Sequence, residues 1–269
     1  MLAGGRRLWR STNVKATIPT WTAIRTANVG NRVSAIAVAS GNSASICVGH
    51  NNGEIWLTTN GTNANPTWTQ IDTAILPNRF VTRVVIDHTR TPNWIYATFG
   101  GFAGNNIFRT RDSGANWEDV TGTGATGLPD VPVRTLVFHP DNPNLLYAGT
   151  EVGIFTSDDA GATWDLPQDG PANVSVDELF WMNRDLVAAT HGRGIYRASG
   201  GTYVNCAYTG AIQNGNYDTP FKTVTAAINA AVGYKTIWIR GCNYNETFTT
   251  NKRLDLRRWE TGVATIGAP

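Results

Sequence analysis

The feature that most constrains the fold is a short motif that recurs through the first 200 residues. In each copy an aliphatic residue is followed directly by an aromatic one, and in four of the five copies Ser or Thr stands two positions after the aromatic residue. The copies begin at Leu8, Ile55, Ile107, Ile154 and Ile195. The successive steps between them are 47, 52, 47 and 41 residues. A period of about 40–50 residues is typical of one four-stranded blade of a β-propeller. The repeat therefore predicts a series of similar sheets.

The strand pattern within one period is clearest between residues 133 and 166. Four short runs with strand composition, at 133–139, 144–149, 153–157 and 163–166, are separated by segments rich in Pro, Asn, Asp and Gly. The first copy holds only three such runs, at 1–4, 7–10 and 20–24, and the last copy also shows three. We predict an all-β fold for residues 1–200: a β-propeller of four to five blades of four-stranded antiparallel sheet, which need not form a complete ring.

Composition supports this fold class and excludes several kinds of partner. Charged residues make up 16% of the chain, against about 25% in an average soluble protein, while 28 Gly and ten Trp suit short strands and tight turns. The formal net charge of +2 gives no basic surface for nucleic acid. No apolar run is long enough to span a bilayer, and residues 1–13 lack the core of a signal peptide. We expect neither nucleic-acid binding nor membrane insertion.

Two segments one period apart share the pattern Ser/Thr-x-Asp-x-Gly-x-Thr-Trp. Residues 157–164 match it at every specified position, and residues 110–117 differ only by Asn116 in place of Thr. Weaker copies at 58–68 and 11–21 have Asn60 and Asn13 in the acidic position. The pattern resembles the Asp-box, or BNR repeat, of the propellers of sialidases, xyloglucan hydrolases, sortilin-type receptors and photosystem assembly factors. The pattern residues are Thr110, Asp112, Gly114, Trp117, Ser157, Asp159, Gly161 and Trp164.

The resemblance implies a structural role for these residues. An Asp side chain accepts hydrogen bonds from turn amides, Gly adopts backbone angles that other residues resist, and Trp packs back on the hairpin. We therefore assign no catalytic residue and no metal ligand to the pattern, and we expect no cofactor.

The loops that join the second and third strands are the expected place for a ligand, because propeller loops converge on one face. Polar side chains beside an aromatic residue in these loops suit a sugar or a peptide. The candidate ligand-binding residues are His50, Phe102, Glu151, His191 and Arg193. An alternative role is open for each, since Gly and Asn in the same loops are what tight hairpins need, and His191 could simply bond a neighbouring blade.

A glycoside hydrolase is the competing interpretation. Such an enzyme needs two carboxylates on loops that face a cleft, and the acidic candidates on this face are Asp130, Glu151 and Asp169. The segment Pro77-Asn78-Arg79-Phe80 is the nearest approach to the Phe-Arg-Ile-Pro motif that opens bacterial sialidase propellers, and it does not match. Clustered carboxylates would favour hydrolysis, whereas an aromatic and Arg patch without them would favour binding.

Residues 201–269 have a different pattern. A strand near Tyr203 precedes a helix predicted to begin around Asp218 and Pro220 and to end at Gly233, and short strands are predicted at 236–240, 246–250, 253–256 and 263–266. These stretches resemble the start of a pectate-lyase-like, right-handed parallel β-helix, so the expected second domain is a small α+β segment formed by its N-terminal cap and first coils, with no catalytic residue of its own.

The three cysteines predict little metal or redox chemistry. Cys206 and Cys242 could pair within the second domain, while Cys47 lies in an apolar run that favours a buried position.

The sequence as a whole favours a non-catalytic extracellular recognition or adhesion module that binds carbohydrate or protein. A glycoside hydrolase and a protein-assembly factor are the alternatives. Both ends of the chain fall inside a repeat, so we expect it to resemble a middle piece of a longer secreted or cell-surface protein, whose open edges would pair with further chain or with another subunit.

Overall fold

A computed structural model describes residues 1–26, 30–140, 142–166, 171–182, 185–199, 201–215, 219–231, 235–252, 254–259 and 262–267. Strands dominate these residues. The chain divides into two compact units: unit 1 comprises Met1–Phe180 and Val187–Tyr196, and unit 2 comprises Trp181–Leu186 and Arg197–Pro269. The domain boundary after residue 200 stays a prediction.

Five antiparallel sheets follow one another along the first 199 residues. Sheet 1 contains β1 (Leu2–Gly4), β2 (Arg7–Arg10) and β3 (Thr22–Thr26); sheet 2 contains β4 (Val33–Ala39), β5 (Asn42–His50), β6 (Ile55–Thr58) and β7 (Thr69–Gln70). Sheet 3 contains β8 (Val81–Asp87), β9 (Trp94–Phe99), β10 (Ile107–Thr110) and β11 (Glu118–Asp119). Sheet 4 contains β12 (Val133–His139), β13 (Asn142–Thr150) and β14 (Gly153–Ser157); sheet 5 contains β15 (Val176–Met182), β16 (Asp185–Thr190) and β17 (Gly194–Ser199).

This arrangement confirms the predicted all-β propeller fold, with one difference in sheet 4. The strand predicted at 163–166 is reduced to a single antiparallel bridge between Thr156 and Asp165. Their backbones exchange both hydrogen bonds, at 2.9 and 2.8 Å. The next bond of such a ladder would need an N–H from residue 167, which is Pro and has none.

Neighbouring sheets pack face to face through apolar side chains. The clusters contain Leu8, Ile24, Ile46 and Val48 between sheets 1 and 2, Ile55, Val84, Ile86 and Phe108 between sheets 2 and 3, and Tyr96, Ile107, Leu136 and Leu146 between sheets 3 and 4. We call the first strand of each sheet the innermost strand. The innermost strands of sheets 2, 3 and 4 also hydrogen-bond to one another at equivalent positions. The Ser34 hydroxyl donates to the Val81 carbonyl at 2.7 Å, and the Thr82 hydroxyl donates to the Val133 carbonyl at 2.5 Å. Strands β4, β8 and β12 therefore lie side by side.

The turns at 110–117 and 157–164 have the same hydrogen bonds. In the first, the Asp112 carboxylate accepts from the Thr110 hydroxyl at 2.7 Å and from the Asn116 backbone N–H at 2.8 Å. The Thr110 hydroxyl oxygen in turn accepts from the Gly114 N–H at 2.8 Å. The second turn repeats these three bonds at 2.8, 2.9 and 2.8 Å with Ser157, Asp159, Gly161 and Thr163. Each side chain thus fixes its own turn.

The weaker copies of the turn keep the central acceptor. The Asn60 side-chain oxygen accepts from the Thr58 hydroxyl at 2.8 Å and from the Thr67 N–H at 2.9 Å. Asn13 accepts in the same way from the Thr20 N–H at 2.9 Å. An amide oxygen therefore replaces the carboxylate in the first two sheets.

A tryptophan at the end of three of these turns bonds the preceding sheet. Its indole N–H donates to a backbone carbonyl there: Trp68 to Ile24 at 2.9 Å, Trp117 to Ile71 at 2.6 Å, and Trp164 to Val120 at 2.8 Å. We call this contact the inter-sheet tryptophan bond. Because a buried indole N–H needs a partner, the bond fixes both the ring and the spacing of the two sheets.

Gly114 shows how closely the turn approaches the preceding sheet. Its backbone has a φ of 102°, and a Cβ atom there would lie 2.5 Å from the Ile71 Cβ. Only glycine combines that backbone angle with that proximity.

Unit 2 contains parallel strands. Its elements after residue 200 are β18 (Thr202–Val204), α1 (Val224–Ala230), β19 (Lys235–Arg240), β20 (Asn243–Tyr244), β21 (Leu254–Trp259) and β22 (Thr265–Ile266). Strands β18, β19 and β21 form one parallel sheet in that order, and β20 pairs in parallel with β22. The helix packs its Val224, Ala227 and Ile228 side chains into the core of this unit. Among the described residues, no helix is long and apolar enough to cross a membrane.

Two predictions for this unit are wrong. The helix begins at Val224 after an N-cap at Thr223, and not near Pro220, because Phe221 is tied to β18 by a parallel bridge to Val204. Residues 246–250 form no strand, because the Glu246 carboxylate turns to the helix and accepts from the Val224 and Thr225 N–H groups at 2.9 and 2.8 Å. Asp218 and Gly233, the other predicted limits of the helix, lie outside the described residues.

Glu246 and Lys252, which lie in the segment after β20, bind the two ends of helix α1. Burial by itself would raise the pKa of the Glu246 carboxyl, but the hydrogen bonds from Thr225 and Val224 lower it overall. At the other end, the Lys252 ammonium donates to the carbonyls of Ile228, Asn229 and Ala231 at 2.8–3.0 Å. Opposite charges thus sit at the two ends of the helix dipole.

A disulfide joins Cys206 to Cys242 across 36 residues of sequence. We expect the double change Cys206→Ser and Cys242→Ser to lower the free energy of unfolding of unit 2 by about 3–4 kcal/mol, the loop-closure value for this length. Urea unfolding with and without reductant measures the loss. Cys47 should not interfere, because burial raises the pKa of its thiol to about 12. Equal stability of the two proteins under oxidising conditions would contradict this expectation.

The Asp112 carboxylate should make turn 110–117 sensitive to acid. Hydrogen bonds from Asn116 and Thr110 lower the pKa of Asp112 from 3.8 to about 2. Because the folded-state pKa is depressed, the stability it contributes is complete above about pH 4 and is lost as the pH falls through about 2. We therefore expect Asp112→Asn to cost about 1 kcal/mol at pH 7 and the difference from the parent protein to shrink between pH 4 and pH 2.

Urea unfolding at pH 7, 4 and 2.5 tests this expectation. The matched control is Asp158→Asn, which makes the same change at an exposed aspartate in turn 157–164. A similar loss in both variants, or a difference that persists at the lowest pH, would show that the carboxylate has no special role.

Candidate functional site

The hairpin loops between second and third strands lie at the end of each sheet opposite the turns that bear the tryptophans. In sheet 3, Thr98 pairs with Ile107 next to the loop, whereas Ile95 pairs with Thr110 next to turn 110–117. We call the end with the hairpin loops the loop face. All five predicted ligand-binding residues belong to it by position in the sheets.

The same backbone hydrogen bond holds the hairpin loop in four of the sheets. In four sheets, an N–H of the hairpin donates to the carbonyl just before the innermost strand of the same sheet: Asn51 to Arg32 at 3.1 Å, Gly100 to Phe80 at 3.0 Å, Glu151 to Pro132 at 3.3 Å, and His191 to Ser175 at 2.9 Å. The hairpins therefore occupy equivalent positions on rigid strands, which suits a binding surface.

His50 is the one predicted residue whose side chain is fully buried. Its Nε2 lies 2.9 Å from Arg25 Nη1, and its Nδ1 lies 3.2 Å from the Glu54 carbonyl. A guanidinium can only donate, so Nε2 accepts and the proton is on Nδ1. Burial and the positive charge of Arg25 lower the pKa of His50, so the ring is neutral in the folded protein. His50 therefore orients Arg25 and does not reach the loop surface.

Two phenylalanines are exposed on the loop face. Phe102 is 74% exposed in the hairpin of sheet 3, and Phe80, which directly precedes β8, is 51% exposed. Arg79 holds this hairpin by donating to the carbonyls of Gly104 and Asn105 at 3.2 and 2.8 Å. The loop that presents Phe102 is thus anchored to the segment that presents Phe80.

Charged side chains of sheets 4 and 5 form a connected group that we call the charged network: Arg134, Glu151, Asp177 and His191. Arg134 Nε lies 2.9 Å from Glu151 Oε1, and Arg134 Nη1 lies 3.3 Å from Asp177 Oδ1. The other Asp177 oxygen lies 3.6 Å from His191 Nδ1. His191 is largely exposed, and the other three side chains are partly exposed. The network therefore faces solvent.

The structure brings together only part of the predicted set. Glu151 and His191 are linked through Arg134 and Asp177, and Arg193 is exposed in the same hairpin as His191. Phe102 and His50 belong to the hairpins of sheets 3 and 2. The five residues are therefore distributed over four sheets.

Asp177 is the functional candidate that sequence reasoning missed. It is the second residue of its innermost strand, the position that Ser34, Thr82 and Arg134 occupy in the preceding sheets. Aligning the repeats on their innermost strands would have placed Asp177 beside Arg134. The sequence carries this signal only in the alignment of the repeats, because a single acidic residue inside a strand forms no local pattern of its own.

The remaining acidic candidates do not join this network among the described residues. Asp130 is exposed and lies against Gly104, where an added Cβ atom would be 2.9 Å from its Oδ1. Asp169 lies outside the described residues. The described residues also contain no group of three or more His, Cys, Asp or Glu side chains placed to hold a metal ion.

Comparison with known proteins supports the fold and no specific activity. No protein-family model matches the sequence, and no curated protein matches it. Among solved structures, the chain is similar to the GH74 xyloglucanase from Xanthomonas campestris, with a TM-score of 0.50 and 14% identity over 70% of this chain and 32% of that one.

Two further structures are similar over a comparable length. A chain of a mitotic checkpoint complex has a TM-score of 0.54 and 12% identity over 73% of this chain and 57% of that one. The extracellular domain of a protein described as a hybrid two-component system from B. thetaiotaomicron has a TM-score of 0.50 and 19% identity over 72% of this chain and 24% of that one. This chain thus spans only about a quarter to a third of the xyloglucanase and of the extracellular domain. At these identities the similarity shows the β-propeller fold alone, which hosts unrelated functions.

The lowered pKa of His50 gives the site a measurable pH dependence. A histidine that is neutral when folded and protonated when unfolded contributes stability that is present above about pH 6.5 and is lost as the pH falls through its folded pKa. We expect His50→Gln, which keeps an acceptor for Arg25 but does not titrate, to flatten the loss of stability between pH 7.5 and pH 5.

Urea midpoints across this pH range measure the effect. The control His88→Gln replaces an exposed histidine and should keep the pH dependence of the parent protein, because His50 is unchanged in it. A steep loss that survives in His50→Gln would show that other groups cause it.

Proposed function

We propose that this chain is a non-catalytic recognition module whose loop face binds a carbohydrate or a protein. The observation that supports this proposal best is the position of Arg134, whose guanidinium lies within ion-pair distance of both Glu151 and Asp177. Glu151 and Asp177 are carboxylates of neighbouring sheets on the loop face.

The geometry of the charged network argues against glycoside hydrolysis. A glycosidase needs one carboxyl group to protonate the leaving oxygen and a second to act on the opposite side of the sugar, with the glycosidic bond between them. Here a guanidinium lies between Glu151 and Asp177 and bonds both. The space that a scissile bond would need is therefore filled by a side chain of the protein.

The same features suit binding. A fixed guanidinium flanked by carboxylates offers directed donors and acceptors, and the partly exposed side chains meet a ligand without a large desolvation cost. Phe80 and Phe102 add exposed aromatic surface on the same face. Aromatic and Arg side chains are the residue types that dominate recognition surfaces.

The turns fit the proposed Asp-box family. We interpret turns 110–117 and 157–164 as Asp-boxes, and turns 58–68 and 11–21 as variants in which Asn replaces Asp. Three observations support this: the shared carboxylate or amide acceptor, the equivalent hydroxyl bonds, and the inter-sheet tryptophan bond. Because these acceptors are used by the turn itself, we assign them no catalytic role.

Unit 2 fits the cap and first coils of a parallel β-helix. The parallel order of β18, β19 and β21, with a second parallel pair beside it, supports this interpretation. The disulfide also supports an extracellular location, since disulfides persist in oxidising compartments.

Glycoside hydrolysis remains the second candidate because Glu151 and Asp177 lie close together on an exposed face. A hydrolysis screen on polysaccharides, read by released reducing ends, separates the two functions. Turnover in the parent protein that is abolished by both Glu151→Gln and Asp177→Asn would establish an enzyme and overturn our proposal.

Binding to a glycan array and to a protein-surface display library tests the proposal directly. We expect Arg134→Gln to weaken binding about tenfold or more, because it removes charge-assisted hydrogen bonds. Phe102→Ala should weaken it to a similar extent if the ligand covers sheets 3 and 4. The matched control is Arg111→Gln, which removes an exposed arginine from the opposite end of sheet 3. Equal binding by the parent protein and Arg134→Gln would contradict the proposal.

A further inference from the structure

A groove outside the loop face lies between the outer strands of sheets 1 and 2. Its volume is about 360 Å³, near the lower limit of ligand-binding cavities, about 300–1,000 Å³. The lining combines aromatic, amide, hydroxyl and guanidinium groups and consists of Ala23, Ile24, Arg25, Thr26, Trp56, Asn65, Pro66 and Trp68. None of these residues belongs to the charged network.

The Arg25 guanidinium lies between two indole rings. Its central carbon is 4.2 Å from the centre of the Trp56 ring and 5.8 Å from that of Trp68. Both indole N–H groups are already bonded, Trp56 to the Glu54 carboxylate at 3.2 Å and Trp68 to the Ile24 carbonyl at 2.9 Å. The aromatic walls are therefore fixed before any ligand arrives, which lowers the entropy cost of binding.

The position of Arg25 departs from the repeat. The equivalent residues of sheets 2 and 3, Asp72 and Thr121, accept hydrogen bonds from the backbone of their own sheets: Ile55 N–H to Asp72 at 2.9 Å, and Ile107 N–H to Thr121 at 3.0 Å. An arginine has no acceptor and cannot replace them. Its side chain extends instead to His50 and Trp56 of the next sheet.

The other walls of the groove come from the third strand of sheet 2 and from turn 58–68. Trp56 occupies the aromatic position of the repeat, and like Trp9 and Phe155 at the equivalent position it is not fully buried. Turn 58–68 has eleven residues from its hydroxyl residue to its tryptophan, as turn 11–21 also has, whereas turns 110–117 and 157–164 have eight. The longer loop supplies Asn65 and Pro66 to the groove. The groove therefore combines an aromatic residue of the repeat and a longer turn with one clear departure from the repeat, Arg25.

The charge of the groove indicates its ligand. Arg25 is the one charged residue among the lining residues. Its neighbour His50 is neutral, and the Glu54 carboxylate is held by donors from Asn31, Asn52 and Trp56. Burial lowers the pKa of Arg25, and the negative charge of Glu54 offsets part of this effect. The guanidinium nevertheless stays protonated. A largely buried cation of this kind favours a carboxylate, which can accept two parallel N–H bonds.

We propose that this groove is a second binding site, separate from the loop face, for a sugar residue that bears a carboxylate. The carboxylate bonds Arg25, the apolar side of the ring packs on Trp56 and Trp68, and the ring hydroxyls reach Asn65 and Thr26. A uronate and a sialic acid share this chemistry, so the experiment must include both.

Isothermal titration of the full chain with a glucuronate-containing tetrasaccharide and with sialyllactose tests the proposal. We expect at least one of them to bind, and its carboxyl-reduced form to bind about tenfold more weakly or worse. This comparison changes only the ligand, so it does not depend on any variant folding. Equal affinity for the acid and its carboxyl-reduced form, or no binding of either acid, would overturn the proposal.

Two variants assign the binding to the groove. Arg25→Gln keeps a donor for His50 and should abolish the preference for the acid, while Asn65→Ala, at an exposed position, should weaken binding without disturbing the fold. Arg111→Gln is the matched control, because Arg111 also lies over an indole ring, 4.9 Å from the centre of Trp94, but outside the groove. Unchanged binding by both Arg25→Gln and Asn65→Ala would refute the site.

The loop-face variants keep the two proposals separate. Phe102→Ala and Arg134→Gln should leave the affinity for the acidic sugar unchanged. If they abolish it instead, the ligand binds the loop face and the groove proposal fails.

Discussion

The bond from a turn tryptophan to the backbone of the preceding sheet is the contact on which the packing of unit 1 depends. Trp68, Trp117 and Trp164 each reach a carbonyl at the outer edge of the neighbouring sheet. The bond needs a turn of fixed shape, which the hydroxyl and carboxylate or amide bonds within the turn provide. Each sheet therefore fixes its neighbour, and the apolar clusters between sheets fill the space that this spacing leaves.

The structural role of the turns explains why the ligand candidates lie in the hairpins at the opposite end of the sheets. The turns at one end of the sheets use their polar groups internally, so little of their chemistry is available to a partner. The hairpins at the other end share one backbone bond, and Arg79 adds two hydrogen bonds in sheet 3. Side chains such as Phe102 and Glu151 take no part in these bonds and are free to differ from sheet to sheet. The charged network and the exposed phenylalanines arise from that freedom.

Departures from the repeat mark the other candidate site. A repeat constrains each sheet to present equivalent residues at equivalent positions, so a residue that breaks the pattern needs a compensating contact or a function of its own. Arg25 breaks it most clearly, since its equivalents Asp72 and Thr121 cap their own sheets. Its compensation is the neutral His50 and the indole of Trp56, and the groove beside them is the consequence.

The sequence alone determined the features that local contacts control. The period, the strands and the turns around Asp112 and Asp159 could be predicted because hydrophobic alternation and turn chemistry act within a few residues. Contacts across sheets could not, because the partners lie far apart in sequence, by 25 residues for Arg25 and His50 and by 51 for Thr82 and Val133, and no local pattern records them. Only the tertiary structure showed that His50 is buried against Arg25 and that Arg134 links Glu151 to Asp177. The physical reason is that burial and charge pairing depend on which sheets become neighbours.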